Sequence, residues 1–310
     1  MQFEKVVVTG GSGRLGRHVV DALKDRARIT TLDITPARFD LPHVTLDIQD
    51  LAGLAKAFTG IDAVVHVGAI DGHVPASPEE FMKVNALGTW NVLHAAFEAG
   101  VRKVIVTSSN SSTGINAANI HRPPVYLPMD EIHPVWPTHA YGLSKLVNEI
   151  AAESFGNRGT MKVVCIRPTF VMFPEIVPFI ARRVLDPDNA ELLKETHPDP
   201  EVAAALHEPL TLPRCYVEPK DLANLYRLAL EHDGAPYELF YGSATDSFDP
   251  TPTLAYMARV YGRIPEVRKP KIYEKNPHAS VVDCTRARDV LGWQPTSDWS
   301  KMSGMKRAAA

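Results

Sequence analysis

VVVTGGSGRLGRHVV, residues 6–20, is the stretch on which the fold turns. β-Branched residues run to Thr9, glycines follow at 10, 13 and 16, and a helical apolar pattern starts inside the same motif. Glycine permits a sharp strand-to-helix turn and close approach of the backbone to a ligand. The helix it opens presents free N–H groups and a positive dipole end. Gly10, Gly13 and Gly16, with Arg14 and Leu15 between them, are therefore candidates for cradling a pyrophosphate. A glycine triplet alone suits any tight turn. The signal becomes specific because Asp33 ends the next β-branched run, RITTLD at 28–33, seventeen residues after Gly16. A dinucleotide site calls for an acid about 20 residues on, at the ribose 2′-hydroxyl. A carboxylate there repels a 2′-phosphate, Ile34 and Thr35 supply no cation, and Arg14 and Arg38 are less well placed. The expected cofactor is NAD.

Outward from this motif, short β-branched runs alternate with helical stretches. Strands are expected at 5–9, 28–33, 43–47, 62–67, 102–108 and 162–167, and helices at 15–25, 51–58, 79–98 and 141–155. Near-continuous apolar strands alternating with helices predict a parallel sheet covered on both faces, a doubly wound α/β fold of Rossmann type. After residue 170 the pattern loosens into segments rich in Pro, Asp and His, with one more helix and strand over 217–231 and 237–241. The expected division is a dinucleotide-binding domain at 1–170, to which 214–245 returns, and a smaller, mainly substrate-binding lobe at 171–310. The loop at 115–140 holds five prolines, and a loop of that length in a compact domain is usually functional or disordered.

Composition narrows the partners. The chain has 310 residues, a net charge of −3, 45% hydrophobic and 22% charged content. That balance offers no whole-protein field for nucleic acid or membrane, which leaves a small molecule. Cys165, Cys215 and Cys284 are widely spaced and odd in number, against a disulfide framework or a metal cluster. The opening MQFE runs straight into the first strand, so no signal peptide is expected, and no apolar run approaches the ~18 residues of a spanning helix. A cytoplasmic location is expected.

HAYGLSKLVNEIAA, residues 139–152, places Tyr141 and Lys145 one helical turn apart on the same face. A free tyrosine titrates near pH ~10, too high for a base at neutral pH. A neighbouring ammonium and a positive nicotinamide favour the phenolate. VIVTSSNSSTG, residues 104–114, offers Ser108 and Ser109 as a substrate-orienting hydroxyl at the C-terminal end of a parallel strand, where ligands bind.

With these residues in view, the chain resembles the extended short-chain dehydrogenase/reductases, also called the NAD-dependent epimerase/dehydratase family. The resemblance rests on TGGSGRLG at 9–16, Asp33, LDI at 46–48, VVHVGA at 64–69, VNALGTWNVLHAA at 84–96 and YGLSK at 141–145. RCYVEPKDLA at 214–223 and DCTRARDVLGWQP at 283–295 extend it over nearly the whole chain. It implies Tyr141 as base, Lys145 as its partner, and Ser109, preferred over Ser108, as the orienting hydroxyl. It further implies Asp47 and Ile48 at the adenine, Gly68 and Ala69 beside the cofactor ribose and phosphates, and Asn85 near the cofactor. Pro168 is grouped with the cofactor residues, and Asn110 with the substrate residues. LHAAFEAG and LVNEIAAESF resemble the family's dimerisation helices, so a homodimer through the helices near 85–99 and 141–155 is expected.

Two departures bear on the substrate. Family members acting on nucleotide sugars carry Asn two residues after the proline of RPxN, and here Phe170 stands in that place. Phenylalanine cannot donate to a phosphate, and a buried phosphate left unpaired is costly. The family's GDGxQxRD stretch is replaced by LHEPLTLPRCYV, with only Arg214 retained. TSSNSSTG, YGLSK and ELFYGSATDS resemble instead the uronate dehydrogenase branch, which oxidises a free sugar at its anomeric hydroxyl to a lactone. Arg182, Arg183 and Arg214 are candidates for gripping a substrate carboxylate, although a structural role is preferred for the first two. The long segment 259–295 looks more like the epimerases. The expectation is an NAD-dependent dehydrogenase of a free sugar or sugar acid. The alternatives are a nucleotide-sugar 4-epimerase or dehydratase with tightly bound NAD, and an NAD-sensing module. His121, His133 and His139 lack ligand companions at useful spacing, so no metal is expected, and His66 reads as structural.

Overall fold

Side chains alternate across a strand, so the first apolar run must bury on both sides at once. In the computed structural model, which describes residues 3–115, 122–198, 202, 203, 206 and 214–305, this is what β1 (Lys5–Thr9) does. Val6 and Val8 face one core, while Val7 faces the other. The same alternation runs through β4 (Ala63–His66), β5 (Lys103–Thr107) and β7 (Lys162–Pro168). β2 (Arg28–Asp33) and β3 (His43–Thr45) lie on one side of β1, and β10 (Tyr237–Gly242) closes the far edge. The strands pair in parallel in the order β10-β7-β5-β4-β1-β2-β3. The order reverses between β1 and β4, which opens a crevice at the carboxyl ends of those strands.

Helices α1 (Arg14–Leu23) and α7 (Pro219–Glu231) cover one face of this sheet. The other face carries α2 (Leu51–Ala57), α4 (Gly88–Glu98) and α5 (Ala140–Gly156). The helix expected at 79–98 is continuous but not uniform. It starts as α3 (Pro78–Glu80) behind a Ser77–Glu80 capping box, passes through a π-helical stretch at Phe81–Leu87, and only then becomes α4. β3 ends two residues early because Asp47 forms a turn, its carboxylate accepting from the Gln49 N–H.

The proline-rich loop at 115–140 is partly strand: β6 (Tyr126–Leu127) pairs with β11 (Glu266–Val267). β8 (Phe170–Val171) pairs with β9 (Tyr216–Val217) just outside the end of β7. α6 (Val177–Leu185) packs with Phe173, Tyr216, Phe248 and Trp299 in a separate apolar cluster. Besides 214–245, the segment around Ala287, Leu291 and Trp293 also returns to the sheet. Trp293 Nε1 donates to the Asp221 carbonyl, and the Asp221 carboxylate accepts from the Thr296 and Ser297 N–H groups. Among the described residues, no helix is long and apolar enough to cross a membrane.

Candidate active site

The glycine turn is possible only without side chains. Gly10 sits at φ +69°, and a Cβ there would lie 2.5 Å from the Gly68 nitrogen. A Cβ on Gly16 would lie 1.9 Å from the Gly10 carbonyl oxygen. Gly13 caps α1 with no side chain satisfying the first-turn N–H groups. Gly10, Gly13, Arg14, Leu15 and Gly16 all line one cavity of about 760 Å³ at the crevice between β1 and β4. Asp33 lines it too, its carboxylate fixed by the Ser12 N–H at 3.0 Å and by the Thr35 N–H and hydroxyl at 3.1 Å. Asp47, Ile48, Gly68, Ala69 and Pro168 complete this end. Asn85 is not among the lining residues but bonds to one of them. It is fully buried away from the cavity, and its amide grips the N–H and carbonyl of Ile70, so it shapes the wall from behind.

Tyr141 and Lys145 enter the same cavity from the first turns of α5, a helix started by His139, whose Nδ1 accepts from the Gly142 N–H. The Lys145 ammonium donates to the Thr107 carbonyl at 3.1 Å and stands 5.7 Å from the centre of the Tyr141 ring. Complete burial pulls its pKa down to about 8, opposed by the nearby Asp71 carboxylate. The phenol ring is boxed in: Phe81 meets it edge-on at 5.6 Å, His139 lies nearly parallel at 6.3 Å, and Gly72 leaves no room for a Cβ.

Ser108 and Ser109 both line the cavity, but their hydroxyls are engaged differently. Ser108 is buried and donates its hydroxyl to the Glu149 carboxylate. Glu149 also receives Ser112 at 3.0 Å and a two-pronged Arg167 guanidinium at 2.7 and 2.6 Å. This network ties the end of β5 to α5 and β7, holding the turn at 109–113 against the helix that carries Tyr141. Ser109 begins that turn, its oxygen accepting from the Ser111 N–H, and both it and Asn110 line the cavity. The Asn110 side-chain oxygen is buried with no partner among the described residues.

Phe170 lines the far end, edge-on to His73 at 5.4 Å and backed by Phe248 at 6.3 Å. Arg214, expected among the substrate residues, does not line the cavity. It adopts φ 63°, donates to the Tyr256 hydroxyl at 3.0 Å, and lies 3.6 Å from the Asp249 carboxylate behind Phe248. Arg182 forms a two-pronged pair with Glu195 on the surface, and the buried Arg183 donates to the Leu206 carbonyl, so neither candidate reaches the cavity. His66 is buried between Thr9 and Thr89, with burial pulling it down to about 3, and His133 accepts from the Val125 N–H. His121 lies outside the described residues.

Asp71, Gly72 and His73 also line the cavity and were not anticipated. Their signal was positional, since they follow β4 at the strand edge where this fold places ligands. His139, read only as a poor metal ligand, proves to be both helix cap and cavity wall.

Residues 6–240 match the model of the NAD dependent epimerase/dehydratase family. A uronate dehydrogenase of Pseudomonas putida is 31% identical over 53% of this chain and 60% of its own length. An L-arabinose 1-dehydrogenase (NAD(P)(+)) of Haloferax volcanii is 31% identical over 53% of this chain and 65% of its own. The chain thus matches less than two-thirds of either dehydrogenase. A UDP-glucose 4-epimerase of Halalkalibacterium halodurans is 26% identical over 94% of this chain and 90% of its own. Among solved structures, a short-chain dehydrogenase/reductase superfamily protein from Agrobacterium tumefaciens with bound NAD superposes with a TM-score of 0.70. It is 24% identical and covers 97% of this chain and 95% of its own.

Proposed function

The chain belongs to the NAD dependent epimerase/dehydratase family, and from that premise we propose that it is an NAD-dependent dehydrogenase oxidising a hydroxyl of a free sugar or sugar acid. The observation that carries the reading is the convergence of the glycine turn, Asp33, Tyr141, Lys145 and Ser109 on one cavity. The cradle fits NAD: the uncapped first turn of α1 suits the diphosphate, and Asp33 suits an adenosine ribose carrying hydroxyls. Asp47 and Ile48 would flank the adenine. Gly68, Ala69 and Pro168 would line the path to the nicotinamide, with Lys145 at its ribose.

Bound there, NAD supplies the acceptor for the hydride. Tyr141 takes the proton from the substrate hydroxyl through its phenolic oxygen. Lys145 favours the phenolate electrostatically, and the Thr107 carbonyl fixes where its ammonium stands. Ser109, whose oxygen already accepts from the Ser111 N–H, turns its own proton to the substrate oxygen. Of the later segments, Val171, Phe173, Ile176 and Cys215 form the wall that selects the substrate. Leu87, Trp90, Leu143 and Ile150 are exposed on the outer faces of the helices expected to pair. A homodimer buries them, and Trp90→Glu should yield a monomer in sedimentation.

Alignment over nearly the whole of a UDP-glucose 4-epimerase favours the second reading, epimerisation with retained NAD. A screen of free and UDP-linked sugars with NAD, read at the NADH absorbance, separates the two. Net NADH from a free sugar is expected. Interconversion of nucleotide sugars without net NADH would replace this reading with the second.

A further inference from the structure

The charged side chains on the cavity walls bear on which substrates fit it. Among the described residues, the basic side chains on its walls besides histidine are Arg14, Arg38 and Lys145. Arg14 and Arg38 belong to the coenzyme end, and Arg14 is engaged by Glu175 at 2.8 Å. Lys145 is committed to Thr107 and the catalytic tyrosine. The arginines nearest in sequence lie outside the lining. Arg182 pairs with Glu195, Arg183 donates to Leu206, and Arg214 donates to Tyr256, with its Nη1 3.6 Å from Asp249 and not hydrogen-bonded among the described residues. The interior stretches outside the described residues, 116–121, 199–201, 204–205 and 207–213, contain no lysine or arginine in their sequence.

The groups that do face this end point the other way. Asp71 is a solvent-accessible carboxylate on the wall, close enough to act on Lys145. A substrate carboxylate or phosphate beside Asp71 would meet like charge, moderated by solvent, by His73 at 3.7 Å and by the Lys145 ammonium, with no guanidinium among the described residues of that wall. Asn110 is nine-tenths buried, lines the cavity, and its side-chain oxygen has no partner among the described residues. An unsatisfied amide oxygen calls for a donor, which a sugar hydroxyl supplies, in neutral and acidic sugars alike. Phe170, braced by His73 and Phe248, offers an apolar ring face where the nucleotide-sugar relatives of this fold would need a polar group.

We propose that the substrate is uncharged, a neutral sugar or polyol seated between the Phe170 ring and the Ser109–Asn110 turn, with Asp71 excluding carboxylates and phosphates. This rests on the dehydrogenase reading and narrows it, discarding sugar acids.

The test uses the purified protein with NAD and matched pairs that differ only at C6, hydroxymethyl against carboxylate: glucose with glucuronate, galactose with galacturonate. NADH formation gives kcat/KM, and the neutral member of a productive pair should exceed its uronate by about 10-fold, the scale of one solvent-screened like-charge contact. Asp71→Asn should narrow that ratio by about 10-fold, because the repelling charge is removed while the side-chain shape stays. A second arm reads binding without turnover, as the thermal shift of the NADH-loaded protein with each sugar. Neutral sugars should raise the melting temperature, and uronates should leave it unmoved. A uronate that is preferred in either arm, or an Asp71→Asn variant with an unchanged ratio, overturns the proposal. If no pair gives NADH but neutral sugars bind selectively, the dehydrogenase reading fails and the charge selection stands. If none binds or reacts, both fall.

Discussion

At the coenzyme end of the cavity the frame comes from turns of the main chain, the glycine loop and the loop after β4 at Gly68 and Ala69, with the Asp33 carboxylate at the end of β2. At the substrate end the contacts are side chains from segments far apart in sequence, among them His73, Ser109, Phe170 and Cys215. The first kind of site is set by local backbone geometry and tolerates almost nothing, since a single Cβ on Gly16 collides with Gly10. The second kind is set by packing and can change its ligand through one side chain. Tyr141 and Lys145 stand between the two ends, and chemistry requires both to be filled.

The largest expected effect is at that junction. Tyr141→Phe should leave coenzyme binding nearly intact and cut turnover by at least ~10²-fold, the scale of lost acid–base catalysis. If most of the activity survived, the proton would have to leave through another group.

Lys145 sharpens the contrast between function and stability. Burial lowers its pKa to about 8, so its charged form opposes folding at neutral pH. Between about pH 8 and 10.5 the unfolded chain holds more protons than the folded one, and stability rises with pH. Lys145→Met should therefore be inactive and weaker for NAD, yet more stable than the parent at pH 7 by up to roughly 3 kcal/mol. That gap should shrink as pH rises through this window. Urea unfolding of both proteins at pH 7 and pH 10 measures it, and a gap that does not shrink would show that burial is not its source.

The coenzyme end should respond to charge even though its frame is main chain. The native protein should bind NAD better than NADP, because Asp33 is fixed in the cavity and the adjacent Ile34 is apolar. Asp33→Ser with Ile34→Arg should move the preference toward NADP by at least ~10-fold, about 1.4 kcal/mol. Parallel titrations with both coenzymes decide it; equal binding by the native protein would refute the role given to Asp33.

The smallest effect is expected where the family pattern is broken. Phe170→Asn should bring no gain in turnover, since no phosphate receives the new amide, and should raise KM for the sugar a few-fold by removing the ring it rests on, about 1 kcal/mol or less. UDP, GDP and dTDP should bind no better than about millimolar. A nucleoside diphosphate competing at micromolar concentration would make the substrate end a phosphate site after all.

What the sequence determined by itself is the part governed by short-range geometry. The glycine spacing, the acid ending β2, the alternating valines of β1 and the four-residue step from Tyr141 to Lys145 each follow from neighbours along the chain. These define the parallel sheet, its crevice and half of the site. Tertiary structure alone decided that Ser108 commits its hydroxyl to Glu149 while the adjacent Ser109 takes the Ser111 N–H, although both line the cavity and are chemically identical. It also turned Arg214 toward Asp249 and Tyr256, put Asn85 behind the wall, and brought Asp71 and His73 to a site in which their sequence context shows no motif. The physical reason is that a side chain's partner depends on which distant segment packs beside it. Glu149, Asp249 and Phe248 are assigned to their partners only when α5, β7 and the later segments close against the sheet.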